Sequence, residues 1–130
     1  MNINPIMSHI FPEHDLDLSF LFEIADGSDE FIIESIDMFL QQTPELLQTI
    51  NTAIANKDWT IAASAAHKLK PNLGFFGMPI SQATIQEVEL MAKAGAPDPD
   101  LLISKFNEVS DIITPNLDRL VKIKTDLSGN

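Results

Sequence analysis

His67, Lys70 and Gly74 stand three and four residues apart, the spacing that lines side chains along one face of a helix. The three residue types together suggest one chemistry. A neutral imidazole nitrogen is a nucleophile near neutral pH, since ordinary histidine side chains titrate at about 6.5. An ammonium one turn further on can balance negative charge that builds on a group the ring attacks. A position without a side chain, one turn beyond that, leaves a gap for the surface of a second molecule. The set predicts a nucleophile, an anion holder and a clearance. Lys68 can assist if its long stem curls onto the same face.

The element that must position this row is a helix. Trp59, Ala62, Ala66, Leu69, Leu73 and Phe76 recur at alternating steps of three and four, an apolar stripe that faces a core. The row of His67 lies beside the stripe and points toward solvent. A buried, hydrogen-bonded core histidine is the ordinary alternative for a lone helix histidine. The phase offset and the charge map weigh against it. From Trp59 to Gln86 there is no Asp or Glu and the only ionic residues are Lys68 and Lys70, in a chain of formal charge −11. A cationic island in an anionic chain suits a site that holds a phosphoryl group.

The segment from Ala65 to Gly77 resembles the signature of histidine-containing phosphotransfer (HPt) domains, in which an alanine, the histidine, a leucine-lysine pair and a later apolar-glycine pair recur. Ala66, His67, Leu69, Lys70, Asn72, Phe76 and Gly77 stand at the matching places. The similarity extends from about Leu16 to Leu127. It includes Asp29-Glu30-Phe31 before a long helix, Asp58 ahead of the histidine, and Val88-Glu89 in the helix that follows. One departure stands out: Pro71 occupies a place where many members have Gly. The resemblance implies that His67 accepts a phosphoryl group on Nε2 from a receiver-domain aspartate and passes it to another. Lys70 and Lys68 would stabilise the phosphoryl group, and Gly74, Pro71 and Asn72 would face the docking partner. It also implies that Mg²⁺ and the acceptor aspartate belong to the partner, so that this chain needs no cofactor of its own and supplies half an active site. Docking would use apolar residues near His67 on the second and third long elements, ringed by an acidic first helix.

The rest of the sequence bounds this reading. With 130 residues, 45% of them hydrophobic, the chain suits one compact domain. The absence of cysteine excludes disulfides, thiol catalysis and Cys-based metal sites, and fits a cytoplasmic location. No apolar run approaches the ~20 residues of a membrane span, and no secretory signal is expected. Residues 1–56 contain ten carboxylates and no Lys or Arg, a surface that repels nucleic acid and anionic lipid. Partners should be proteins, and the chain is expected to be a monomer. There is no G-x-x-x-x-G-K-[ST] loop, so the chain is read as a phosphotransfer carrier rather than an ATP-using enzyme. No acidic cluster for Mg²⁺ is evident beside His67, the nearest carboxylates in sequence being Asp58 and Glu87. No E-x-x-H pair occurs for a metal-carboxylate bundle. The remaining alternative is an adaptor that binds a receiver domain or another signalling protein without carrying phosphate.

Along the chain, residues 1–14 read as an arm, with Ile3, Ile6, Ile10 and Phe11 docking on the body and His9 and His14 in surface or packing roles. Residues 15–127 are expected to form the bundle domain, and 128–130 a frayed tail. A short helix is predicted over Asp15–Ile24, its carboxylates in the first turn. Ser28 or Asp29 caps a long second helix with Ile32, Ile36, Phe39, Leu40, Leu46, Leu47, Ile50 and Ile54 inward. Pro44 either kinks that helix or divides it in two. Asp58 caps the His67 helix and Gly77 ends it. Pro71, at about 3 kcal/mol for a mid-helix proline, frees the carbonyl of His67, producing a kink that packing absorbs or one that opens the phosphoacceptor face. Asn72 hydrogen-bonds near the site or faces solvent. The next helix runs from Pro79 to Lys93, burying Ile80, Ala83 or Thr84, Val88 and Met91, with Gln82 and Gln86 as further residues in reach of a phosphate. The last spans Asp98–Asp126 with Leu102, Phe106, Val109, Ile113, Leu117, Leu120 and Ile123 inward, bent at Pro115. The fold class predicted is all-α: an up-down-up-down four-helix bundle with an extra short N-terminal helix.

Overall fold

The computed structural model of the chain describes residues 9–129. The expected docking of Ile3 and Ile6 and the fraying of Asn130 lie outside the described residues. The described part is mostly helical. A short strand β1 (Ile10–Phe11), a 3-10 turn (Pro12–His14) and a strand β2 (Leu16–Asp17) precede α1 (Ser19–Ala25), α2 (Asp29–Ala55), α3 (Trp59–Phe75), α4 (Pro79–Lys93) and α5 (Pro99–Ser128). The strands pair antiparallel, Ile10 opposite Asp17 and Phe11 opposite Leu16. Helix α3 packs on α2 and α4, and α5 closes the ring against α4 and α2. Leu69, Leu73, Ile36, Ile50, Ile85, Val88, Leu102 and Ile113 fill the centre. Among the described residues no helix is long and apolar enough to cross a membrane.

The helix starts follow the predicted caps. Ser28 Oγ accepts from the Phe31 N–H at 3.1 Å, and Asp58 Oδ1 from the Ile61 N–H at 3.2 Å. Both satisfy donors that a helix leaves unpaired. Three prolines do not divide the elements that hold them. Helix α2 runs unbroken through Pro44, α3 through Pro71 and α5 through Pro115. Proline has no N–H, so each forgoes one intrahelical bond, yet each helix continues past it.

The first expected helix is corrected. Asp15 and Asp17 do not lie in its first turn, because α1 begins only at Ser19. Asp15 is buried with a left-handed φ of 55°, and its carboxylate accepts from the backbone N–H groups of Ile80 and Ser81 at 2.9 and 2.7 Å. It therefore caps α4, whose own N-cap, Met78, has no side-chain oxygen to offer. The arm expected over 1–14 is likewise laced to the body from His9 onward. Leu18 N donates to the His9 carbonyl, Asp17 N to the Gly77 carbonyl, and Asn116 Nδ2 to the His14 carbonyl.

Helix α4 is rotated from its expected phase. Ser81, Ile85, Val88, Glu89 and Ala92 are buried, while Ile80 is exposed and Met91 only partly covered. Helix α4 packs against α3, which buries Ala62, Ala63, Ala65 and Ala66. In α2, Thr43 and Ala53 join the buried face, and Leu40, Leu46 and Ile54 sit at its edge.

Candidate functional site

Helix α3 buries Ala62, Ala66, Leu69 and Leu73, which turns the next row outward as the spacing requires. The His67 side chain is 66% exposed. Across the α3–α4 seam, the inward phase of Ile85, Val88 and Ala92 carries Glu89 against α3, where its side chain is only 2% exposed. Glu89 gathers three donors. His67 Nδ1 lies 2.9 Å from Oε2, Lys70 Nζ donates to Oε1 at 2.8 Å, and Lys93 Nζ pairs with Oε2 at 3.0 Å.

The bond from Lys70 holds the Glu89 carboxyl well below its usual range. Burial opposes ionisation, but Lys93 and His67 add to the pull of Lys70, and the pKa falls from 4.5 to about 2. The carboxylate is thus ionised at any physiological pH and can only accept hydrogen bonds. Nδ1 must then carry the proton, and Nε2 is left as a lone pair. Among the described residues Nε2 has no hydrogen-bond partner. The arrangement is a fixed tautomer with its nucleophilic nitrogen facing outward.

The other residues singled out by sequence distribute around this centre. Lys70 is 25% exposed and donates to Glu89. Lys68 is exposed and forms no ion pair among the described residues. Gly74 lies under the side chain of Gln82, and a Cβ there would sit 2.5 Å from Gln82 Nε2. Gln82 Nε2 donates to the Lys70 carbonyl at 3.2 Å, so this residue is held over Gly74 and not beside the ring. Gln86 is exposed on α4 without a hydrogen bond among the described residues. Pro71 is exposed, and Asn72 Nδ2 reaches Gln42 Oε1 of α2 at 3.4 Å.

Two residues escaped the sequence reading: Glu89 and Lys93. The resemblance includes the Val88-Glu89 pair, but it assigns Glu89 no role, because its contact with His67 is 22 residues away in sequence. The four-residue spacing of Glu89 and Lys93 was a readable helix pair.

The surface around His67 is uneven. On the N-terminal side, Thr60, Ala63, Ser64, His67, Ala92 and Lys93 line an open depression of about 420 Å³. On the C-terminal side, Phe20 of α1 meets Phe75 edge to face at 5.5 Å. One groove beside this pair holds Met38, Gln42 and Asn72, and another holds Asp17, Glu23 and Gly74. Phe20, Phe31 and Met38 are exposed apolar residues of α1 and α2. Among the described residues no group of three or more His, Cys, Asp or Glu could hold a metal ion.

Comparison with known proteins places this geometry. The sequence profile of the Hpt domain matches residues 34–115, which span both the His67 helix and Glu89. Among solved structures, the chain is similar to the HPT domain of an Hpt sensor hybrid histidine kinase from Shewanella. The identity is 26% and the TM-score 0.75, with 89% of this chain and 98% of the other covered. A search of curated proteins finds no match. The chain belongs to the Hpt domain family, whose members generally act as phosphotransfer carriers in phosphorelays.

Proposed function

We propose that this chain is a phosphorelay intermediate whose phosphoacceptor is Nε2 of His67. The observation that carries the proposal is the exposed ring tied through Nδ1 to the buried, ionised Glu89. In the transfer step the Nε2 lone pair forms the N–P bond as the P–O bond of a receiver aspartyl phosphate breaks. The aspartate leaves as a carboxylate, and the ring, now cationic, keeps its proton on Nδ1, hydrogen-bonded to Glu89. The reverse step donates the group to another receiver domain. Mg²⁺ is placed on the receiver, which completes the site on docking.

Lys70 serves this chemistry through Glu89, by keeping the carboxylate ionised and in place. Lys68 adds positive charge at the rim. Docking uses the apolar surface of Phe20, Met38 and Phe75, flanked by Asp17 and Glu23, with Gly74, Pro71 and Asn72 along its edge. Gln86 stays a candidate for phosphate contact from α4. The four long helices are taken to run up-down-up-down, α1 being the extra short element, within a bundle domain over 15–127. The working form is a cytoplasmic monomer, which suits the absence of cysteine.

The test is incubation with a phosphorylated receiver domain. An acid-labile, alkali-stable label that appears on His67 and vanishes in His67→Gln supports the relay. Tight binding without any label supports a non-phosphorylated adaptor and removes the relay.

A further inference from the structure

The two ammoniums on Glu89 are not equivalent. Lys70 alone holds Oε1 and is 25% exposed. Lys93 shares Oε2 with His67 Nδ1 and is 58% exposed. Its contact with Glu89 is a four-residue pair within one helix, and of the two ammoniums its end is the more open to solvent screening. Glu89 keeps two partners if Lys93 leaves. Lys93 also lines the open depression beside His67, whose other walls are the short side chains of Thr60, Ala63, Ser64 and Ala92. Lys70 does not line it. A group attached to the ring on this side finds room, and the cation nearest that room is the one held least firmly.

Charge counting points the same way. The resting cluster of one carboxylate and two ammoniums carries one surplus positive charge. Adding a phosphoryl group to the neutral ring, with the Nδ1 proton retained, adds one negative charge and brings the cluster to zero.

Resting on the phosphoacceptor reading, we infer that Lys93 is the cation that contacts the phosphoryl group. Its ammonium waits on Glu89 Oε2 and turns into the depression when His67 is phosphorylated, while Lys70 stays behind to hold Glu89. No bond changes in this move beyond those of the transfer itself: the N–P bond forms, the donor's bond to phosphorus breaks, and one ion pair is exchanged for another.

The test uses phosphoramidate, a small donor that needs no docked partner, and follows phospho-His67 by ³¹P NMR as pH is varied. An ammonium beside the phosphoryl oxygens favours their fully ionised form. In Lys93→Gln the phosphoryl resonance should titrate at a pH higher by about 0.5 to 1 than in the wild type. Lys93→Arg should return it toward the wild-type curve. Lys122→Gln, which removes the same charge from an exposed position on α5, should not move it. Superimposed curves for the wild type and Lys93→Gln overturn the inference. So does a larger upward shift in Lys70→Gln than in Lys93→Gln. Wild-type protein that takes no label on His67 removes the phosphoacceptor reading, and the role of Lys93 falls with it.

Discussion

Replacing Glu89 with Gln keeps the shape of the side chain and removes its charge, so it isolates what the buried carboxylate does. Its pKa lies at about 2 in the folded chain against an ordinary 4.5. A folded-state pKa below the unfolded one stabilises the protein at pH values above the unfolded pKa. That stabilisation is lost as pH falls toward the folded pKa. The full difference corresponds to on the order of 3 kcal/mol near pH 7. Near pH 3 only about 1.5 kcal/mol of it survives, since the unfolded carboxyl is already protonated there. Lys93 is well exposed, and solvent screening lowers these figures toward the smaller end.

The measurable quantity is the gap in unfolding free energy between wild type and Glu89→Gln, followed by urea titration. The single Trp59, packed at the edge of the core, supplies the fluorescence signal. The gap should shrink by about 1 to 2 kcal/mol between near pH 7 and near pH 3. The other carboxylates titrate in both proteins and cancel. A gap that stays constant across that range refutes the account, because it would mean that Glu89 is not held ionised by the cations around it.

Asp15→Ala removes the acceptor for two N–H groups at the start of α4, that of Ser81 buried, and should cost about 2 kcal/mol, read as a lowered urea midpoint. Gly77 has φ +65°, and a Cβ there would collide with the Asp17 carbonyl. Gly77→Ala should therefore cost more than about 2 kcal/mol and lower the melting temperature in calorimetry. At Gly74 the obstacle is the flexible end of Gln82. Gly74→Ala should leave stability within about 1 kcal/mol, since better helix propensity offsets the lost bond to the Lys70 carbonyl. Gly74→Leu should also fold but slow phosphotransfer from a receiver severely, and an unchanged transfer rate would show that the position gives no clearance.

The histidine helix was legible because its information is local. The apolar stripe from Ala62 to Phe76, the Asp58 cap and the outward turn of His67 are all local features, and the structure reproduces them, while Lys70 turns onto Glu89 and Gly74 lies under Gln82. Periodicity failed on α4, where Ile80 and Leu90 are exposed and Ser81 and Glu89 are buried. Hydrophobic phase assumes that the inward face is the apolar one. Here a short hydroxyl and a paired carboxylate occupy part of it, the carboxylate because Glu89 finds three donors there. Asp15 was misplaced for a related reason. Its partners are 65 and 66 residues away, and a carboxylate that caps a distant helix looks in sequence like one that caps its own.

Those two misreadings are joined in the molecule. The phase of α4 decides whether Glu89 meets His67, since a slip of one residue would swing it about 100° around the helix. Nothing in the first turn of α4 sets that phase through a side chain of its own, as Met78 provides no cap. Beyond the buried Ile85, Val88 and Ala92, the start of the helix is pinned from outside: Asp15 holds the N–H groups of Ile80 and Ser81, and Asp17 N holds the Gly77 carbonyl just before the helix begins. A segment remote from the ring in sequence is thereby tied to the helix that carries Glu89. Asp15→Ala should accordingly do more than destabilise. In the fraction of protein that remains folded, looser seating of α4 should weaken the Nδ1–Glu89 bond and bring the two neutral tautomers of His67 closer in population. The ¹⁵N shifts of the ring report that ratio directly. Ring signals identical to wild type in folded Asp15→Ala would show that the α3–α4 seam alone aligns Glu89, and that the N-terminal segment contributes stability without shaping the site.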